Sequence, residues 1–558
     1  MNNQNKEKIV LEDYESEFLY KKNKTNLNIE FNRIAFIFFV FFVISIIYSI
    51  QLLHLGSLSS NFKKTKPHIN KKNYRADIID KNGNYLVKTV SSIDIGINPT
   101  EIIDKKKLLI NLQLIFPNKD YSEIRKKINK GKFFKFEKKI SEENYEKIMS
   151  LGDKSIKPKE TLTRLYPQKN LFSHIIGQID DENNGISGIE KSFDKELKKI
   201  KEPLRLTVDT DIQFLIREEL IKFQSIFKSK GSAAILMNVN DGEVISMVSY
   251  PDFNLNKRQK IEDENYINRA TKGVYELGSV FKTFTIAAGL DAGLIEPDTK
   301  FLNLDKKLNC GKNTITEYDN KILSDLTVEE ILIKSGNIGS VKIAQMLEIE
   351  GLKSFLEKIG VLYKIGFDIE EVGQPIPFKW GKCKLATVSF GHGITTTPLQ
   401  LAKGYSIISN GGFEINPTLI KNKKKNKKKR VIRKDTSEAI NLMLRKIVLE
   451  GTAKLANVNG YDVGGKTGTA NKSAKGGYSR KKINTFSSVF PTSNPKFVLI
   501  VLMEETQINP DYIYEYRDGS GFKLKGSPRN TAAWTSVEVS GKIIEKIGPI
   551  LATKYIEN

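Results

Sequence analysis

A chain of 558 residues exceeds what one hydrophobic core serves, so two or three folded units are expected. With 39% hydrophobic and 28% charged residues it folds rather than staying disordered. Two cysteines, Cys310 and Cys383, exclude a disulfide scaffold and leave a single bridge open.

The net charge of +24 and pI near 9.5 raise nucleic-acid binding as a reading. Lysines are, however, spread along the whole chain. The one dense basic run, "KNKKKNKKKR" at 421–430, has no interleaved aromatics to stack bases and reads as a solvated loop, so no nucleic-acid partner is expected. Four histidines, His54, His68, His174 and His392, are scattered without ligand spacing, and no metal site is expected.

In chain order, residues 1–33 make a short tail and Ile34–Leu55, "IAFIFFVFFVISIIYSIQLLHL", is an apolar stretch long enough to span a bilayer as a helix. A cleaved signal peptide is the competing reading, but the apolar core exceeds the ~7 to 15 residues of such a segment. Basic residues flank the span on both sides, Lys21, Lys22, Lys24 and Arg33 before it and Lys63, Lys64, Lys66, Lys71 and Lys72 after it. Charge therefore does not orient the helix, and long domains are translocated largely regardless of charge.

Residues 61–205 mix β-rich pieces with lysine-rich helical ones, and "RADIIDKNGNYLVKTV" (75–90) reads as two strands joined at Asn82-Gly83. Residues 206–552 change texture. An amphipathic helix follows "LRLTV", and "GSAAILMNVNDGEVISMVSY" (231–250) reads as strand, Asp-Gly turn, strand. Near the end "FSSVFPTSNPKFVLIVLMEE" (486–505) supplies two more strands and "AAWTSVEVSGKIIEKIGPIL" (532–551) closes with a helix. Strands at both ends with helices between predict an α+β domain whose sheet unites its termini.

Ser-x-x-Lys occurs not only at Ser279 but also, among other places, at Ser60, Ser192, Ser225 and Ser479, so the pattern alone means nothing in this chain. Ser279 differs by context: Gly278 permits a tight turn and "VFKTFTIAAGL" continues as helix, which puts Lys282 on the same face one turn on. A serine hydroxyl is a weak nucleophile until a base takes its proton, and a lysine is such a base only when burial or nearby cations lower its pKa. Downstream, "KSGN" places Ser335 and Asn337 two residues apart, and "GGKTGTA" places Lys466, Thr467, Gly468 and Thr469 on a β-like segment. The alternative, in which Ser279 caps a helix and Lys466 is a solvated charge, leaves the order of the three motifs unexplained.

These three motifs, in this order, resemble the signature of penicillin-recognising serine acyltransferases. The likeness extends to "RADIIDKNGNYL", "TRLYPQKNLFSHIIGQ", "GISGIEKSFDKEL", "LTVDTDIQ", "DGEVISMVSYPDFNLN", "NRATKGVYELGSVFK" and "SFGHGITTTPLQLA", which are similar to segments of class B penicillin-binding proteins. Leu277 stands where that family usually has proline, which bears only on the rigidity of the turn presenting Ser279. The resemblance implies a transmembrane anchor (34–55), a β-rich N-terminal pedestal of dimerisation type (61–205) and a transpeptidase domain (206–552). The large part would lie in the periplasm of an inner-membrane, single-pass protein.

It further implies that Ser279 attacks a D-Ala-D-Ala stem peptide with Lys282 as base, Ser335 relaying the proton. Asn337 would hold a substrate amide, and Lys466, Thr467 and Thr469 the terminal carboxylate. The N–H groups of Ser279 and Thr469 would form an oxyanion hole. β-Lactams would acylate Ser279, and no cofactor is needed. Implied partners are a polytopic membrane glycosyltransferase and other division proteins. The segment "FGHGITTTPLQLA" is most similar to the septal, cell-division branch, with the elongation-specific branch, a serine hydrolase and a catalytically idle scaffold as alternatives. His392, in "GHG", invites a Ser-His-Asp reading; without a Gly-x-Ser-x-Gly elbow a structural or rim role is expected.

Overall fold

The computed structural model describes residues 27–60, 74–257, 263–311, 313–421, 429–474 and 477–556. The start of the tail and residues 422–428 of the basic run lie outside them. Two compact units result, Met1–Lys72 and Asn73–Asn558. In the first, helix α1 (Leu27–Ser60) contains Arg33–His54, 22 residues of mean hydropathy 2.6 with exposed side chains, long and apolar enough to cross a membrane.

The second unit opens with β1 (Ile78–Ile79) and β2 (Tyr85–Ile97), antiparallel about the turn at Gly83 as the sequence predicts. Beyond them come α2 (Lys105–Ile115), α3 (Tyr121–Asn129), β3 (Phe134–Glu137), α4 (Glu142–Met149) and β4 (Ile156–Leu165). Asp104, Asp120 and Ser141 start the three helices by accepting hydrogen bonds from free N–H groups of the first turn. The far half of β2 packs Ile95 and Ile97 into a small separate core with Leu108, Leu112, Ile124 and Phe136, while Leu86 and Val87 belong to the main core. Where the two meet, three of the quoted segments converge: buried Glu190 pairs with Arg75 at 2.5 Å and Arg164 at 2.9 Å. Arg75 also reaches Asp194 at 2.7 Å. Breaking a buried pair of this kind costs roughly 3 to 5 kcal/mol.

After β5 (Leu204–Arg205), which pairs with β1, helix α5 (Thr210–Phe227) is capped by Asp209 and buries Ile212, Ile216, Leu220, Phe223 and Phe227 along one stripe. The hairpin β6 (Gly231–Asn238) and β7 (Val244–Tyr250) follows. Helix α6 (Phe281–Asp291), the hairpin β8 (Lys307–Cys310) and β9 (Asn313–Thr316), and helices α7 (Val328–Ile333), α8 (Asn337–Lys358), α9 (Lys382–Val388), α10 (Pro398–Ser409) and α11 (Lys434–Leu449) come next. The chain ends with β10 (Gly464–Ala474), β11 (Gly477–Phe490), β12 (Phe497–Glu504) and α12 (Ser536–Leu551). The sheet runs β10–β11–β12–β6–β7, all antiparallel, so strands from both ends of the domain are joined at β12–β6 as expected. α6 and α10 are buried on every side, their polar residues Lys282, Thr283, Thr285, Gln400 and Ser406 included, as expected of central helices.

Cys310, at the end of β8, and Cys383, at the start of α9, are bridged with Cα atoms 5.3 Å apart, which answers the question the sequence left open. Because the bond spans 73 residues, Cys310→Ser is expected to lower unfolding stability by roughly 2 to 4 kcal/mol, read as a drop in the denaturant midpoint. An unchanged midpoint under non-reducing conditions would show that the bond contributes nothing.

Candidate active site

Ser279 sits in a short 3-10 turn (Gly278–Val280) that runs directly into α6. Leu277, flagged above as a departure, is fully buried, so packing rather than a proline ring fixes the turn. Its carbonyl faces the neighbouring strand: a Cβ at Gly468 would stand 2.1 Å from Leu277 O, so only glycine allows β10 to lie against the nucleophile turn. That steric fact places Lys466, Thr467 and Thr469 beside Ser279.

Ser335 lies in the loop between α7 and α8 at a positive φ of 57°, a sparsely populated conformation for a side-chain-bearing residue. Its hydroxyl oxygen accepts from two amines: Lys282 Nζ at 3.1 Å and Lys466 Nζ at 2.9 Å. Lys282 Nζ also donates to Ser335 O at 2.5 Å, and Lys466 Nζ to Thr467 O at 3.2 Å. Both lysines have no exposed surface. Burial lowers the Lys282 amine to about 7, with the charge of Glu317 opposing the shift, and burial together with the charge of Lys282 holds Lys466 well below its ordinary value. Two buried ammonium ions around one oxygen repel strongly, so the pair favours holding fewer than two protons. Ser279 Oγ makes no hydrogen bond to any described residue, and Lys282 contacts Ser335 rather than Ser279 here.

Asn337 is the first residue of α8. Its backbone N–H donates to Glu317 Oε2 at 2.6 Å, that of Ile338 donates to Glu317 Oε1 at 2.8 Å, and its side-chain amide donates to Thr316 O at 2.7 Å. Glu317 thus caps α8 and fixes Asn337. Thr467 and Thr452 hydroxyls are 2.8 Å apart, and Thr469 Oγ1 accepts from the Ala532 N–H at 2.9 Å. Ser279, Ser335, Asn337, Thr467 and Thr469 line one groove of about 660 Å³, and the two lysines lie beneath it.

The structure brings together the residues named from the sequence and adds Glu317, Thr452, Tyr318, Tyr478 and Trp534 at or under the groove. Nothing local marks them: all but Tyr478, at the start of β11, come from connections or short turns, and the place of each is set by tertiary contacts. His392 lies on the groove rim, about half exposed, its ring centroid 4.9 Å from that of Tyr478. No cluster of metal-ligating side chains occurs among the described residues.

Residues 232–520 match the penicillin-binding protein transpeptidase domain and residues 70–219 the penicillin-binding protein dimerisation domain. The chain belongs to the penicillin-binding protein transpeptidase family, and the order of its two domains is that of class B. It is 28% identical over 498 residues to the probable peptidoglycan D,D-transpeptidase FtsI of Caulobacter vibrioides, covering 86% of this chain and 82% of that one. Likeness to the FtsI of Escherichia coli K12 is 27% over 78% and 80% of the two chains. The probable D,D-transpeptidase PenA of Neisseria flavescens is 31% identical over 60% and 83%. A peptidoglycan synthetase from Bifidobacterium adolescentis shares the fold, with a TM-score of 0.64 at 21% identity over 87% of this chain and 96% of that one.

Proposed function

We propose that the protein is the septal peptidoglycan D,D-transpeptidase of its cell, working through an acyl-enzyme on Ser279. The observation that carries this reading is the meeting of Lys282 and Lys466 on Ser335 Oγ beneath the groove that Ser279 lines. β10 is an edge strand of the sheet, so its free N–H and C=O groups can pair with an extended stem peptide. The peptide's terminal carboxylate then reaches Lys466, Thr467 and Thr469. A carboxylate beside Lys466 restores its positive charge, and that charge disfavours a second one on Lys282. Substrate binding therefore leaves Lys282 neutral when a base is needed.

Lys282 takes the Ser279 proton as Oγ attacks the penultimate D-Ala carbonyl, and the oxyanion is met by the Ser279 and Thr469 N–H groups. Ser335, touching both amines, passes the proton to the leaving D-Ala nitrogen. The acyl ester is then aminolysed by a neighbouring stem. β-Lactams follow the same first step and stop at the ester.

The Cys310–Cys383 bond supports an oxidising compartment, the periplasm, for a protein anchored by α1 in the inner membrane. A polytopic glycosyltransferase and other division proteins are the proposed partners. Two measurements test the reading. Fluorescent penicillin is expected to label the purified protein covalently, and depletion is expected to give filaments. No adduct would overturn the enzymatic assignment; round cells would overturn the septal one.

A further inference from the structure

The reaction proposed above leaves one proton without an acceptor. An acceptor amine of ordinary basicity arrives as an ammonium at neutral pH. Forming the amide removes two protons from its nitrogen: one returns to Ser279 Oγ through Lys282, and the other must leave before attack. Lys282 is occupied by the first transfer, and Lys466 is fully buried on the carboxylate side of the site.

Among the described residues lining the groove, the remaining ionisable groups are Tyr318, Asp319, His392, Tyr478, Lys482 and Arg529. Burial first, with neighbouring carboxylates second, raises both tyrosines and makes them poorer proton donors. Asp319 lies 3.8 Å from the Arg529 guanidinium, which takes up that carboxylate. Lys482 and Arg529 are cations. Histidine is the side chain whose ordinary titration falls in this range.

The position of His392 is set by close backbone contact. Gly391 has a φ of +81°, and a Cβ there would stand 2.0 Å from Gly278 O, so the loop abuts the residue preceding Ser279. Glu276, three residues before the nucleophile, holds this corner: Oε2 accepts from Gly393 N at 3.0 Å and lies 3.6 Å from His392 Nδ1, while Oε1 accepts from Tyr478 OH at 2.9 Å. Lys384 Nζ donates to Gly393 O at 2.6 Å from the other side. The charged and titratable groups facing His392 are thus Glu276, Tyr478 and Lys384.

We propose that His392, seated by Glu276, is the base that takes the first proton from the acceptor ammonium in the second half of the reaction. The balance is R–NH3+ plus neutral His392 giving R–NH2 and imidazolium. The amine then attacks the ester carbonyl, the C–Oγ bond breaks, the second nitrogen proton goes to Ser279 Oγ through Lys282, and the imidazolium releases its proton to water. This differs from a Ser-His-Asp triad, because His392 acts on the incoming amine and not on Ser279.

The inference rests on the acyl-enzyme reading, so both are measured on one sample of full-length protein in detergent. Fluorescent penicillin reports on Ser279, and a thioester donor peptide reports how the acyl-enzyme divides between hydrolysis and amide formation. With a D-amino acid acceptor at pH 7, His392→Gln is expected to lower the amide-to-hydrolysis ratio by about tenfold or more. The deficit should vanish with hydroxylamine, which is already neutral at that pH, and shrink as pH rises towards 10. An unchanged ratio overturns the proposal. So does an equal deficit with hydroxylamine, or loss of penicillin labelling in the variant, since either marks His392 as a structural support. Failure of the wild-type protein to label would instead sink the acyl-enzyme reading.

Discussion

Ser279→Ala is expected to abolish covalent labelling by penicillin, a fall in acylation rate of roughly 10⁴-fold or more, while leaving the protein folded. The two halves of that expectation have separate causes. Loss of the adduct follows because Ser335, the other serine among the described residues lining the groove, has its hydroxyl oxygen engaged by two amines. Retention of the fold follows because Ser279 Oγ has no hydrogen-bond partner among the described residues, so its removal strands no buried polar group. Stability should change by no more than about 0.5 kcal/mol. Intact-protein mass after incubation with a β-lactam, with a thermal melt on the same sample, reads both. An adduct persisting in the variant would move the nucleophile to another residue. A large loss of stability would make the missing adduct uninformative, and Ser279→Gly would then replace it.

Much of this site was legible because its parts obey local rules. The helix after Ser279 is visible in "VFKTFTIAAGL", and the turn before it in Gly278. The strand pairs β6–β7 and β11–β12 are announced by Asp-Gly and Ser-Asn-Pro between apolar runs. Their union into one sheet follows from there being apolar strands at both ends of the domain. What could not be read is where connections without periodicity go. Glu317 follows a short hairpin and looks like any exposed carboxylate in sequence, yet it caps α8 from 20 positions away. Tyr478 is 202 positions from Glu276, and their hydrogen bond depends on how β10 and β11 lie against the nucleophile turn.

The Cys310–Cys383 bond is a case of a different kind. Two cysteines admit one pairing, but their proximity depends on the path of the chain over a separation of 73 positions. The contact between Lys282 and Ser335 is also instructive. Spacing put Lys282 one turn from Ser279, and in the structure the amine is turned instead towards the loop before α8, because that loop's positive-φ residue offers both a carbonyl and a hydroxyl.

Lys282→Arg is the substitution that separates a base from a mere cation. Burial brings the Lys282 amine down to about 7, so near neutral pH a large share of molecules carry it unprotonated. A guanidinium keeps the positive charge and the donors but does not lose its proton in proteins. If Lys282 works only by attracting or orienting, the arginine variant should retain much of the acylation rate; if it takes the Ser279 proton, acylation should fall by about 10³-fold. The pH dependence gives the same answer independently. The active form is the neutral amine, so acylation by β-lactam is expected to rise through pH about 7 in the wild type and to be low on the acid side. In the arginine variant that limb should be missing.

Arginine is also larger, and in a fully buried site overpacking costs about 1 to 3 kcal/mol, so Lys282→Met serves as the volume-matched companion. Its stability carries a signature of its own. A lysine lowered from 10.5 to about 7 on folding destabilises the native state most at low pH, and wild-type stability therefore climbs between pH about 7 and 10.5 as the folded amine loses its proton before the unfolded one does. Lys282→Met should flatten that climb and raise stability at pH 6, while lowering acylation at least as far as the arginine does. A methionine variant that melts lower than wild type at pH 6, or an arginine variant that still acylates with the wild-type pH limb, would remove Lys282 as the base and point to Lys466.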